Sequence, residues 1–334
     1  MGKDISDKPV VGVDLGGTKV LAGVVDISGK ILHTAKRATK PEVGVGTVVE
    51  RIAKTVRDAV KGAGLELSDL AGVCSAAPGV LNPDDGIVRY APNMPGWENV
   101  PFAKLLSEQL VGVSVFIEND GNLGILGEHA LGAGAGRQDM VGIFVGTGIG
   151  GGIVLGGKLW QGAHKTAAEI GHMIVLADGP VCGCGARGCI ESVASRTAIE
   201  RDIFAGIKAR RESLVPEIMN RDGRDRLTSG ALAEAYSQGD PLVIEIIGRA
   251  QFYLGLHVAS VINFVDPEMV IFGGGLVEAL GDGFLEPIRR VAYQVVMNKQ
   301  DAKEIKIVTA KLGDYSALLG AAVYARQRLT RAGS

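Results

Sequence analysis

Three of the four cysteines fall within eight residues, in the run Cys182-Gly-Cys184-Gly-Ala-Arg-Gly-Cys189, and His172 stands ten residues upstream of the first. Three thiolates and one imidazole make a closed four-ligand shell of the kind that holds structural zinc. Glycines between the ligands let the chain wrap an ion, and C-x-C is not the C-x-x-C of a redox pair. Such a shell has no open position for water, so its Zn2+ does no chemistry. Its task is to fix the loop and the nearby Glu169 and Glu191. Cys74 lies in an apolar run and reads as a small buried hydrophobe.

A second kind of chemistry is written in glycine. Val11-Gly-Val-Asp-Leu-Gly-Gly-Thr-Lys19 and Val141-Gly-Ile-Phe-Val-Gly-Thr-Gly148 each place a Gly/Thr turn after an apolar strand. Backbone N–H groups in such a turn converge on one concavity and bind anions. Thr18 and Thr147 add hydroxyl donors, and Asp14 can hold Mg2+ through water beside a polyphosphate. Two familiar motifs fail here. Gly12 to Lys19 has Thr and Lys in the wrong order for a Walker A loop. Gly146-x-Gly148-x-x-Gly151 runs on as a strand, where a dinucleotide fingerprint needs a helix. A third cluster, Phe272-Gly-Gly-Gly-Leu276, either accepts adenosine on bare backbone or is a plain tight turn.

The acid–base candidate is in Glu118-Asn119-Asp120-Gly121-Asn122, between a strand and a helix. Carboxyl ends of strands are where α/β proteins place ligand contacts. Asp120 there can take a proton from a sugar hydroxyl and Asn119 can bond a polyol. Alternatively, either residue caps the following helix.

These residues need elements to carry them. The pattern predicts strands over 10–14, 21–26 and 31–36, a helix over 47–62, strands over 70–75 and 115–118, and a helix over 122–133. Strands follow over 140–145 and 153–155. Beyond the cysteine loop the chain reads as mainly helical, with strands near 269–272 and 305–308 and a last helix over 316–328. The two Gly/Thr hairpins are loosely repeated sequences. They mark either a duplicated α/β architecture or two similar hairpins arising by chance.

With 334 residues and 46% apolar composition, the chain can bury a large core. The net charge of −2 is dispersed, which argues against a nucleic-acid surface. The N-terminal 1–8 stretch lacks a signal-peptide core. The apolar run 242–261 carries Glu245, Arg249, Gln251 and His257 and reads as a buried helix, not a membrane span. The expected compartment is the reducing cytoplasm.

Together the motifs resemble the ROK family (repressors, open reading frames and sugar kinases), and within it the bacterial glucokinases. Five pieces carry the resemblance: Val13-Asp-Leu-Gly-Gly-Thr-Lys19, Tyr90-Ala-Pro-Asn-Met-Pro-Gly-Trp97, Glu118-Asn-Asp-Gly-Asn122, Glu169-Ile-Gly-His-Met173, and the cysteine run through Glu191. The resemblance implies an α/β, actin-like ATPase (ribonuclease H-like) duplicated fold with two lobes and a central cleft. Residues 1–121 with 315–334 would form the small lobe. Residues 122–314 would form the large lobe, with the zinc loop and the ATP site.

It further implies that Asp120 is the catalytic base and that Asn93, Asn119, Asp120, Glu169, His172 and Glu191 line a hexose. His172 would serve zinc with one nitrogen and the sugar with the other. Asp14, Gly16, Gly17, Thr18, Lys19, Gly146, Thr147, Gly148 and Gly150 would hold ATP phosphates with Mg2+, and Gly273 and Gly274 the adenosine side. Glucose phosphorylated at its 6-hydroxyl and a homodimer are the expected reaction and assembly. Two departures stand out: Gly121 where Ala is frequent, and Ala168 where Gly commonly precedes the glutamate.

The rival from another class is a sugar-sensing repressor. The short stretch ahead of Val10 is too small for its helix-turn-helix, so an enzyme is expected. Nearer rivals are kinases of N-acetylmannosamine, N-acetylglucosamine, fructose or allose. Polyphosphate in place of ATP is a remoter alternative.

Overall fold

A computed structural model describes residues 7–223 and 225–332; most of the polar 1–8 stretch lies outside the described residues. The chain runs β1 (Val10–Leu15), β2 (Lys19–Val25), β3 (Ile31–Ala38), α1 (Val45–Gly62), β4 (Gly72–Ala77), β5 (Val80–Asn82), β6 (Ile87–Tyr90), β7 (Glu98–Val100), α2 (Phe102–Gln109), β8 (Val115–Asn119) and α3 (Asp120–Leu131). It continues through β9 (Met140–Val145), β10 (Ile149–Leu155), β11 (Lys158–Leu159), α4 (Ile190–Ala194), α5 (Arg196–Lys208), α6 (Val215–Arg221), α7 (Ser229–Ser237) and α8 (Pro241–Val265). It closes with β12 (Met269–Gly273), α9 (Gly275–Leu280), α10 (Asp282–Val295), β13 (Lys306–Thr309) and α11 (Ser316–Ala332).

Two five-stranded sheets share one plan. The first has the order β3-β2-β1-β4-β8 and the second β11-β10-β9-β12-β13. In the first, β1 is antiparallel to β2 and parallel to β4, and β4 is parallel to β8. In the second, β12 lies parallel to both β9 and β13. Each sheet therefore takes three consecutive strands and adds two parallel ones beyond the first. That correspondence makes the Gly/Thr repeat a duplication of fold. The three-stranded sheet β5-β6-β7 is an insertion between β4 and β8 that the sequence reading did not anticipate.

The chain divides into two compact units. One takes in the chain up to Gly136, Gly152–Ala168 and everything from Asp314 on; the other is Arg137–Gly151 with Glu169–Gly313. In the first unit, α1 buries Val48, Val49, Ile52, Ala53, Val56, Ala59 and Val60, a 3–4 residue spacing that faces the apolar side of β1 and β2. The C-terminal helix α11 packs on β1, β4 and α3. Its approach to α3 is backbone to backbone: a Cβ at Gly320 would sit 1.8 Å from the Leu123 carbonyl oxygen, and one at Gly127 2.2 Å from that of Ser316. Ser316 also donates to the buried Glu128 carboxylate at 2.8 Å.

In the second unit, α8 is long and apolar enough by composition alone to cross a membrane. Here it is a core helix, as its sequence indicates. Leu242, Val243, Ile246, Ile247, Leu254, Val258 and Ile262 are buried, and α4, α5 and α10 pack against it.

Candidate active site

The first hairpin turn is held from outside itself. Gly16 N–H donates to the Lys19 carbonyl at 2.9 Å, closing the β1–β2 turn. The fully buried Thr39 hydroxyl donates to the Gly16 carbonyl at 2.6 Å, and Thr39 N–H donates to the Thr18 carbonyl. Gly17 has open space where a Cβ would be, and Gly17 and Thr18 are exposed, so the turn is accessible to an anion. The Lys19 ammonium meets the Asp314 carboxylate at 2.5 Å.

Asp14, next to last in β1, is half-buried. Desolvation, then the neighbouring Asp120 charge and to a smaller extent Asp314, push its carboxyl up to about 7, against the pull of Lys19. A carboxylate held this uneasily among like charges is suited to a divalent cation.

Asp120 opens α3 directly after β8. Its side chain is open to solvent yet densely surrounded by protein. Desolvation raises its pKa above the usual carboxylate range, and the Gly121 N–H, donating to Oδ1 at 2.9 Å, works the other way. The capping role falls to Asn119. Its Oδ1 accepts from Gly121 N–H at 2.9 Å and Asn122 N–H at 3.3 Å, and its Nδ2 donates to the Gly79 carbonyl. Only one amide hydrogen of Asn119 is left for a ligand, while the Asp120 carboxylate shares the Gly121 N–H with it and leaves the Asn122 N–H to Asn119. Asn93 is exposed at the tip of a turn between β6 and β7. Buried Met94 and Trp97 anchor that turn, with Trp97 edge-on to Phe102 at 5.0 Å.

The second unit carries the other hairpin and the cysteines. Gly146 N–H donates to the Gly148 carbonyl at 2.9 Å, closing this turn one residue more tightly than the first. Arg196, which the sequence reading did not single out, holds this turn twice. Its N–H donates to the Gly146 carbonyl at 3.0 Å and its guanidinium to the Thr147 hydroxyl at 3.1 Å. The only signal for it in sequence is its place just beyond the cysteine run. Gly150 faces open space. Gly273 and Gly274 have a packing reason to lack side chains: a Cβ would lie 2.7 Å from the Phe144 ring or 2.5 Å from the Val145 carbonyl oxygen.

His172, Cys182, Cys184 and Cys189 are brought together, with all ligand atoms within 4.8 Å of one another. Cys182 Sγ lies 3.6 Å from His172 Nδ1, and Cys184 Sγ lies 3.7 Å from Cys189 Sγ. A tetrahedron with arms of about 2.3 Å has edges of about 3.8 Å, so the four groups fit a metal of zinc's size and preference. Gly188, at φ 72°, is obligatory for the loop, since a Cβ there would lie 1.5 Å from the Leu176 carbonyl oxygen.

Glu191 is half-buried, with Oε2 accepting from Ile149 N–H at 2.9 Å and Oε1 3.6 Å from Cys182 Sγ. Glu169 and His172 are exposed. A cavity of about 750 Å3 bounded by Leu176, Val193, Arg201, Arg249 and Tyr253 contains none of the predicted site residues.

Two sheets of one plan, each opened by a Gly/Thr hairpin, define the ribonuclease H-like fold of the actin-like ATPases. Residues 10–328 match the ROK family. The chain is 38% identical over 320 residues to the glucokinase of Thermotoga maritima, covering 96% of this chain and 98% of that one. A ROK family glucokinase from Streptomyces griseus, solved in complex with glucose and AMPPNP, superposes with a TM-score of 0.83 at 35% identity. That match covers 96% of this chain and 99% of that one. A putative xylose repressor from a Caldicellulosiruptor species is 30% identical over 93% of this chain but only 76% of its own length. The chain belongs to the ROK family.

Proposed function

We propose that this protein is an ATP-dependent hexose kinase that converts glucose to glucose 6-phosphate. The observation that carries the reading is Asp120. It stands at the carboxyl end of β8, with its neighbour Asn119 as the N-cap of the helix that follows, in the same unit as the Asp14 hairpin. Similarity over nearly the full length to glucokinases supports glucose as acceptor.

In this reading the two Gly/Thr turns and Lys19 hold the ATP phosphates, with Gly273 and Gly274 on the adenosine side. Asn93, Asn119, Glu169, His172 and Glu191 bind the sugar. Asp120 accepts the 6-hydroxyl proton as that oxygen bonds to the γ-phosphorus, and the bond from phosphorus to the β–γ bridging oxygen breaks to release ADP. Asp14 would hold Mg2+, which would supply charge neutralisation on the phosphates. His172, Cys182, Cys184 and Cys189 would hold Zn2+, which would keep the loop before α4 in shape.

A cytoplasmic setting suits a cluster that must keep its thiols reduced. We also read the chain as a homodimer, the assembly that the family resemblance of the sequence implies. A panel of glucose, fructose, allose, N-acetylglucosamine and N-acetylmannosamine with Mg–ATP, read by ADP release, tests the reaction. Highest kcat/KM on glucose is expected, and ADP release indifferent to every sugar would refute it.

A further inference from the structure

Glu118 sits two residues before the proposed base and is 1% exposed. Its hydrogen-bond partners are all neutral donors. Oε1 accepts from Asn119 N–H at 2.8 Å and Asn122 Nδ2 at 3.0 Å, while Oε2 accepts from Gln161 Nε2. The Tyr324 hydroxyl borders both Glu118 and Gln161. A carboxylate buried among neutral donors is costly to keep, and burial pushes its pKa up while these bonds draw it back.

The four donors come from four places within one unit: the end of β8, the first turn of α3, the segment after β11, and α11. Two of them flank Asp120, since Asn119 precedes it and Asn122 follows it by two. The third opens a small folded segment. Ala167 N–H donates to the Gln161 carbonyl at 3.1 Å, and Lys165 pairs with Asp84 at 3.3 Å. That segment runs directly into Glu169.

We propose that Glu118, through Gln161, is a positioning residue for the phosphoryl transfer: it fixes the turn that aims the Asp120 carboxylate and joins it to the 161–168 segment. This rests on the kinase reading above.

The pair can be reversed chemically. In Glu118→Gln, one amide oxygen still serves Asn119 and Asn122, but the amide NH2 faces the NH2 of Gln161. In Gln161→Glu, two carboxylates face each other. In the double variant every bond returns with donor and acceptor exchanged across the pair, and Tyr324 can donate to the new carboxylate at 161.

Glucose-dependent ADP release, glucose binding by calorimetry and thermal melting are measured for all four proteins. Each single variant is expected to lose about tenfold or more in kcat, with glucose affinity changed less than about threefold. The double variant should recover to within about threefold of the parent. Single variants with parental kcat would overturn the proposal. So would a double variant whose loss is the product of the two single losses. If Glu118→Gln does not fold, Gln161→Leu, which leaves both Oε1 bonds in place, carries the test, and parental kcat in it would also overturn the proposal. A parent protein that transfers no phosphate to glucose defeats the kinase reading itself, an outcome distinct from active single variants.

Discussion

Glu191 Oε2 accepts the backbone N–H of Ile149 at 2.9 Å, so a carboxylate assigned to the sugar also pins the second Gly/Thr hairpin to the helix that follows the cysteine run. The approach is tight. A Cβ at Gly148 would lie 2.3 Å from that oxygen, and a Cβ at Gly171 only 1.9 Å from the Ile149 carbonyl oxygen. The hairpin, the 169–172 turn and α4 therefore form one rigid assembly within the second unit. Disturbing any one of them should be felt in the others.

Gly148→Ala should displace Glu191 from Ile149. A cost of about 1–3 kcal/mol in stability is expected from overpacking, together with weaker binding of Mg–ATP. Denaturant unfolding and nucleotide titration of the variant check both. Parental values in both would mean that the Glu191–Ile149 bond does not shape the hairpin.

Ala168 stands where the family resemblance of the sequence leads one to expect glycine, and its φ is 69°. A left-handed backbone costs a residue with a Cβ about 1–2 kcal/mol, while glycine loses more freedom on folding. Ala168→Gly should therefore be neutral or stabilising by up to about 1 kcal/mol. Thermal melting checks the sign; clear destabilisation would show that the alanine methyl makes contacts worth more than the strain.

Asp14 makes stability depend on pH in a defined direction. Its folded pKa, about 7, lies above the ordinary 3.8. Below about 4 the group is protonated in both states and costs nothing. As pH rises from about 4 to 7 the unfolded chain ionises first, and the folded protein loses stability. Without nucleotide, Asp14→Asn should become progressively more stable than the parent between pH 5 and pH 8, and saturating Mg–ATP should close the gap. Melting curves across that range measure it. A gap that stays constant with pH would contradict the raised pKa.

The metal reading predicts about one zinc per chain by elemental analysis. Cys184→Ser or chelation should remove it and lower the melting temperature, because metal binding and folding of the loop are coupled. Protein that contains no metal yet melts and turns over normally would remove the structural role.

Much of this was legible because it was local. The Gly/Thr turns, the C-x-C run and the strand–helix junction at Asp120 each declare themselves within a few residues, and of the two readings of the repeated hairpin the sheet orders favour duplication. What could not be read was long-range or short-lived in sequence. β5, β6 and β7 are three or four residues long, with a register shift between Val80 and Leu81, and leave little periodic trace. Thr39, Arg196 and Gln161 act through partners 23, 49 and 43 residues away. For Asn119 and Asp120 only geometry shows how each turns toward the helix: both accept the Gly121 N–H, and Asn119 also accepts that of Asn122.

The central claim is that Asp120 is the base for phosphate transfer to glucose. Steady-state turnover and glucose binding of Asp120→Asn, measured together, test it most directly. Loss of kcat by a factor of about 10²–10⁴ with glucose affinity near parental is the predicted result. A variant that binds glucose and still turns over at close to the parental rate would contradict it.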